Sequence, residues 1–432
     1  MNYIFCVVIL VTSQGAGIIG VNANFDGWHQ FNNHHYYDDP YLERPCVVHD
    51  LNCIRSFFAK KTGCSPVHGT LRDPILKELE FDIPFVNVTL ELNNALLRGL
   101  SKGHVRTFFI NKRTDSLVFE VEFDNLQIES LETVVSQYFK GREPVVATDA
   151  TSAEFRDLSL TLTIRNIYDV KHIKSHVHAH VSDPYPDVYL GPGITHKKKA
   201  RYLDNTRKEY GQESQIHNLN LPNQKNDKEI VKRPCSINDI DCIRSFFAYN
   251  YKCYPMHGLA PDPYILSSVP IELPHANMTM TLYDAKVQGL NSGRIQEFYI
   301  NKNTDTLVLE VEFEKVVVNT PNTLMTYHRK GQEPIKASDL TLIEFRNMSL
   351  TLTTAVSKMT PYNTFVYLYL PNPKPLLQVG SGLLRSKERD QSALDITWMN
   401  NIELSVKEAF VIVGPIYMAA FLNSKICDFS NE

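Results

Sequence analysis

Several kinds of chemistry are missing from these 432 residues. There is no glycine-rich phosphate loop, no H-E-x-x-H pair and no C-x-x-C pair. Nothing therefore signals a nucleotide site, a zinc peptidase or a dithiol redox centre, and no cofactor is expected. Basic residues are not in excess: 44 Lys and Arg face 48 Asp and Glu, a net charge of -4. With no basic stripe either, a nucleic-acid partner is excluded. Long apolar runs are scarce as well. The nearest late candidate, Phe410 to Leu422, is too short to cross a bilayer, so no membrane span is expected.

What is present describes a globular, exported chain. Hydrophobic residues make up 43% and charged residues 21%, and the length suffices for two or three domains with their own cores. MNYIFCVVILVTSQGAGIIG carries an apolar run from Tyr3 to Val11 and then small residues, the pattern of a secretory signal peptide over residues 1–20, though without the usual basic residue near Met1. Residues 21–44, with HQFNNHHYYDDPYLERP at their end, read as an extended arm. The three sequons, Asn87-Val-Thr, Asn277-Met-Thr and Asn347-Met-Ser, fit a secreted, extracellular glycoprotein. Asn87 and Asn277 fall at matching points of a repeat and read as exposed glycan acceptors.

That repeat is extensive. CVVHDLNCIRSFFAKKTGC, from Cys46, returns as CSINDIDCIRSFFAYNYKC from Cys235; FFINKRTDSLVFEVEF, from Phe108, returns as FYINKNTDTLVLEVEF from Phe298. The offset settles at 190 residues, far longer than a solenoid period. A whole domain is duplicated, as residues 45–190 and 234–432, with a polar, charged linker over 191–233. Basic runs in that linker, His196 to Arg201 and Lys232-Arg233, read as solvated connector rather than as a protease site.

Each copy is mostly β. In SLVFEVEF, Leu117, Phe119, Val121 and Phe123 alternate with Val118, Glu120 and Glu122, as in a half-buried strand, and Asn111 to Asp115 form the turn before it. Ile54, Phe57 and Phe58 recur at helical spacing, which predicts a short amphipathic helix from Cys53 to Lys61. Only the second copy continues into an apolar helical pattern through Ile402, Val406, Ala409, Phe410 and Val413, with a break expected near Gly414-Pro415. Either something else closes copy one, or the copies share a core.

Removal of the leader takes Cys6 and leaves seven cysteines, an odd number. Cys46–Cys53 would tether the incoming strand to the first helix, and Cys235–Cys242 would do the same in copy two. Cys253–Cys427 would staple the first helix of copy two to its last and leave Cys64 unpaired or free to bond another chain. Cys64–Cys427 would instead tie the copies together.

Two motifs invite chemistry. Gly99-Leu-Ser101-Lys-Gly103 matches G-x-S-x-G, but β-type runs flank it and copy two has Asn291 in place of the serine, so no catalytic residue is assigned. His176, His178 and His180 share one face of a strand, where alternate residues chelate zinc or copper. Copy two has Phe365, Tyr367 and Tyr369 there, which favours a half-exposed face over a metal site. Clustered histidines would also charge together near pH ~6.5.

The R-P-C-x6-C-I-x-S-F-F-A-x4-C pattern, the G-L-S/N segment, the F-x-I-N-K-x-T-x-x-L hairpin and the terminal F-L-N-S-K-I-C-D-F resemble the fibrohexamerins, small glycoprotein subunits of moth silk fibroin, here in tandem. More distantly, the C-x6-C, the β-rich body and the late helix are similar to the takeout and juvenile-hormone-binding proteins. The resemblance implies an α+β, mainly β chain of two TULIP-like curved antiparallel sheets, each with a short N-terminal helix. The long C-terminal helix belongs to the second copy alone. It also implies a non-enzymatic protein that associates noncovalently with the heavy and light silk fibroin chains and aids their assembly and secretion. The alternative it implies is an extracellular carrier of an apolar ligand.

Overall fold

The computed structural model describes residues 40–62, 64–66, 73–83, 86–165, 174–181, 187–195, 230–358, 365–371, 375–384 and 402–429. The signal peptide, nearly all of the arm and most of the linker lie outside these residues. Copy one comprises β1 (Leu42–Glu43), helix α1 (Leu51–Thr62), β2 (Ile75–Ile83), β3 (Val88–Arg98), β4 (His104–Asn111), β5 (Ser116–Phe139), β6 (Arg142–Arg165), β7 (Lys174–Val181) and β8 (Asp187–Leu190). Copy two repeats the plan. It has β9 (Val231–Lys232), α2 (Ile240–Tyr251), β10 (Tyr254–Pro255), β11 (Tyr264–Leu273), β12 (Met278–Gln288) and β13 (Arg294–Asn301). The central β14 (Thr306–Tyr327) and β15 (Ile335–Ala355) follow, then β16 (Phe365–Tyr369), β17 (Leu376–Val379), α3 (Ile402–Lys425) and β18 (Cys427–Asp428).

Each sheet is built on one long antiparallel hairpin, β5–β6 or β14–β15. Because β5 has 24 residues, it pairs with β4 along its first half and with β3 along its second, while β6 runs beside it throughout. The β6 strand in turn carries β8 and then β7 on its far edge. A bulge interrupts the hairpin at Ser130/Thr133 in copy one and at Thr320/Thr323 in copy two, 190 residues on. Bulges add bend and twist, and these two curve each sheet at the same point.

The short helices form as their periodicity predicts. Asp50 Oδ1 accepts from the Cys53 amide at 2.9 Å, and Asp239 Oδ1 from the Cys242 amide at 3.0 Å, satisfying donors left free at the first turn. Phe57 and Phe58 then pack on Phe108, and Phe246 and Phe247 on Phe298, in matching aromatic clusters.

The long helix differs from expectation. It runs unbroken through Pro415, which gives up one backbone hydrogen bond within an otherwise packed apolar helix. At 24 residues it is therefore long and apolar enough to cross a bilayer, which the shorter segment read from sequence was not. Eleven of its residues are buried, however, and it packs on β11 and β16 as the core helix of copy two. The buried clusters answer the question of a shared core. The cluster built on α3 draws only on copy two, and the three clusters of copy one draw only on copy one. Among the described residues, no long helix covers the sheet of copy one.

Candidate functional site

The turns that close the two long hairpins, at Lys140-Gly141 and Lys330-Gly331, each enter the other copy. The Gly141 amide donates to Thr351 Oγ1 at 2.9 Å, and the Gly331 amide to Thr161 Oγ1 at 3.0 Å. Glu143 accepts from Asn301 Nδ2 at 2.5 Å and from the Thr304 hydroxyl at 2.7 Å. Glu333 accepts from Asn111 Nδ2 at 2.6 Å and from the hydroxyls of Thr114 and Ser116. Every glutamate, asparagine and threonine of one set lies 190 residues from its counterpart in the other. The junction is thus an isologous contact within a single chain, the geometry of a twofold dimer.

Glycine is required at both turns. Gly141 and Gly331 have φ of +62° and +61°, and a Cβ on either would stand 2.4 Å from a carboxylate oxygen of Glu310 or Glu120. Lys140 Nζ approaches Glu310 at 3.4 Å and Lys330 Nζ approaches Glu122 at 3.2 Å, so cations offset part of the buried charge. Beside these contacts Tyr138 stacks on Phe365 with centroids 3.8 Å apart, and His178 stacks on His328 at 3.2 Å. A cavity of about 210 Å³ opens along the first stack, lined by Asp82, Tyr138, Phe365, Leu368 and Phe410. Burial pushes the Tyr138 hydroxyl up to about 12 and raises the Asp82 carboxyl, against the hydrogen bond from Thr89.

Between helix and sheet in copy two, the space is nearly filled. The cavity there measures about 40 Å³, because Phe421 packs edge-on to Phe313 and Phe410 edge-on to Phe345. At its rim, His275 Nδ1 lies 2.5 Å from Glu408 Oε2, and Ser405 Oγ lies 3.2 Å from His275 Nε2. Burial raises the Glu408 carboxyl, partly offset by the histidine. This Ser–His–Glu chain has the connectivity of an acyl-transfer triad. Ser405 is only 3% exposed, though, and sits in a helix against a space too small for a substrate. The cluster fastens α3 to the turn before β12. Sequence reasoning missed it because Ser405 and His275 lie 130 residues apart. One signal was legible: copy one, which lacks the helix, has Phe85 where copy two has His275.

The residues singled out from the sequence fall as follows. Ser101 is exposed on a single turn between β3 and β4, flanked by strands on both sides. His178 is engaged by His328, and His180 is 5% exposed with no hydrogen-bond partner at Nε2; the side chain of His176 lies outside the described residues. Among the described residues no three metal-binding side chains converge. Disulfides join Cys46 to Cys53, Cys235 to Cys242 and Cys253 to Cys427, and Cys64 is free and half-buried. The expectation that Asn87 and Asn277 are exposed does not hold. Both occupy tight turns with positive φ; Asn277 is 9% exposed and Asn87 half-buried, while Asn347 is open to solvent.

Both copies find matches among known proteins. The family described as Fibroin P25 matches residues 42–212 and again 231–431. The "Fibrohexamerin" of Galleria mellonella is 25% identical over 214 residues, which span 46% of this chain and 89% of that protein. Among solved structures, Epiphyas postvittana Takeout 1 aligns at 14% identity and a TM-score of 0.26, over 39% of this chain and 85% of its own. A lipopolysaccharide binding protein aligns at 10% identity and a TM-score of 0.14, over 79% and 85% respectively. At such scores the account of the fold stands on the strand register alone.

Proposed function

The chain belongs to the Fibroin P25 family, which it carries twice over, and from that premise we propose a secreted, glycosylated, non-catalytic subunit that associates with silk fibroin chains. Its role is to cover apolar and strand-edge surfaces of those chains and so keep them soluble until they are exported. The observation that carries this reading is the Fibroin P25 family match over both copies, residues 42–212 and 231–431. The packed core supports it. A space of about 40 Å³ between helix and sheet is far below the ~300–1,000 Å³ of a small-molecule site, so the working parts of copy two are its surfaces.

The second reading, a carrier of an apolar small molecule, draws support from the junction cavity. At about 210 Å³ that space is short of the range for a drug-sized ligand, and acidic groups line one wall. Native mass spectrometry of protein drawn gently from the secreting tissue, without reductant, separates the two. A noncovalent complex with much larger chains is the expected result. A lone chain carrying extractable apolar mass would overturn it in favour of the carrier.

A further inference from the structure

The second copy displays what its own sheet requires, and the first copy lacks it. On β11 the inward residues Leu266, Val269, Ile271 and Leu273 are 6%, 7%, 1% and 0% exposed, because α3 lies across them. Their counterparts 190 residues earlier are Leu76, Leu79, Phe81 and Ile83 on β2. The first three are only half-buried, and Ile83 is 39% exposed. Deeper in the same sheet, Leu92, Phe123, Leu126 and Phe155 are buried in one cluster, with Leu76, Leu79 and Phe81 at its margin. The partly uncovered strip therefore coincides with the strand that the helix covers in copy two.

A second, independent feature lies at the same place. In copy two, Cys427 follows the helix by two residues and bonds Cys253, eleven residues beyond Cys242. In copy one, Cys64 lies eleven residues beyond Cys53, at the end of the corresponding helix, and is free. Sheet and thiol together are one half of a fitting whose other half is an apolar helix that ends in a cysteine. Among the described residues there is none to spare: every other cysteine is in a disulfide, and the apolar helix of that kind is already packed on copy two.

We propose that the β2 strip and Cys64 dock a partner chain through an apolar helix of about seven turns followed by a cysteine, in the manner of α3 and Cys427. The bond forms by exchange. The Cys64 thiolate attacks the partner's sulfur in an existing disulfide, that S–S bond breaks, and the displaced thiolate leaves and takes up the proton that Cys64 gave up. No net oxidation is needed. The inference goes beyond the noncovalent fibroin association proposed above: it assigns a separate, disulfide-linked point of attachment, and it rests on that reading only in expecting a partner.

The probe is a synthetic peptide of residues 402–427, supplied as its mixed disulfide with glutathione, and the target is the full chain. Docking raises the effective concentration of the peptide sulfur, so Cys64 should capture it about tenfold faster than a scrambled peptide of the same composition. Non-reducing peptide mapping identifies the bond. Phe81→Asp should abolish the preference while leaving the reaction of Cys64 with oxidised glutathione unchanged, which separates loss of docking from loss of thiol reactivity. Equal rates for the scrambled peptide, or no effect of Phe81→Asp, overturn the proposal. So does hydrogen exchange showing β2 as protected as β11 in the free chain, since its own remaining residues would then cover the strip. A concentration-dependent dimer that blocks the peptide would make a second copy the occupant. None of these outcomes involves fibroin, so the docking site and the silk association can fail separately.

Discussion

His180 pays for its position in proton affinity. It is 5% exposed, its Nε2 has no partner, it pairs in register with Ser159, whose hydroxyl donates to Glu120, and it feels the charge of Lys330 from the other copy. Burial first, and then the Lys330 charge, bring its pKa down from the ordinary histidine value to about 4. The unfolded chain therefore binds a proton below pH ~6.5 that the folded chain refuses until pH ~4, and stability falls as pH falls across that window. The full difference is on the order of 3 kcal/mol. Urea denaturation at stepped pH should show copy one losing stability between pH ~6.5 and ~4, and His180→Tyr, the residue copy two has, should remove most of that slope. An unchanged slope in the variant would mean that other groups carry it. The sequence showed that the histidines share a strand face. It could not show that His178 stacks on His328 or that the Lys330 charge reaches the buried His180, because both interactions cross between copies.

At the scale of elements, most of the fold was legible and the long helix was misjudged in one respect. Period-two alternation located the strands, and the spacing of Ile54, Phe57 and Phe58 located α1 and, through the repeat, α2. The 24-residue length of β5 and β6 was not apparent, since a bulge shifts the alternation midway and makes one strand read as two. Pro415 suggested a break that packing overrides. What fixes α3 in register is the buried His275–Glu408 contact with Ser405, and it yields a mutational prediction. His275→Ala leaves the Glu408 carboxyl buried without its partner, a change that costs about 3 kcal/mol or more. Hydrogen exchange should rise along α3 and β11 while copy one is unaffected, and Ser405→Ala should cost far less. A serine-directed fluorophosphonate should leave Ser405 unlabelled, because Ser405 is buried beside a space of only about 40 Å³.

For the whole molecule, the duplication has placed a dimer inside one chain. Glu143 and Glu333, Gly141 and Gly331, Thr161 and Thr351 exchange roles across the junction, so each contact is made twice. A sequence repeat implies two similar bodies but not that they meet, since the glutamates on the turns look like solvent-exposed loop residues until the partner copy is placed. Among the described residues no disulfide crosses the junction: each bond joins cysteines of the same copy. The linker thus acts by raising the concentration of one copy around the other, and the reciprocal hydrogen bonds fix the geometry. After proteolysis within the linker, the two halves should remain one particle at micromolar concentration by native mass spectrometry and sedimentation. Glu143→Ala with Glu333→Ala should let the nicked halves separate, because each leaves a buried asparagine side chain without its acceptor, at ~1–3 kcal/mol apiece. Each half of that variant should still melt cooperatively, because the buried clusters stay within their own copies. If the nicked wild-type chain falls apart on its own, the junction is only a consequence of tethering. The surface to compare with single-copy relatives would then be the outer edge of each sheet.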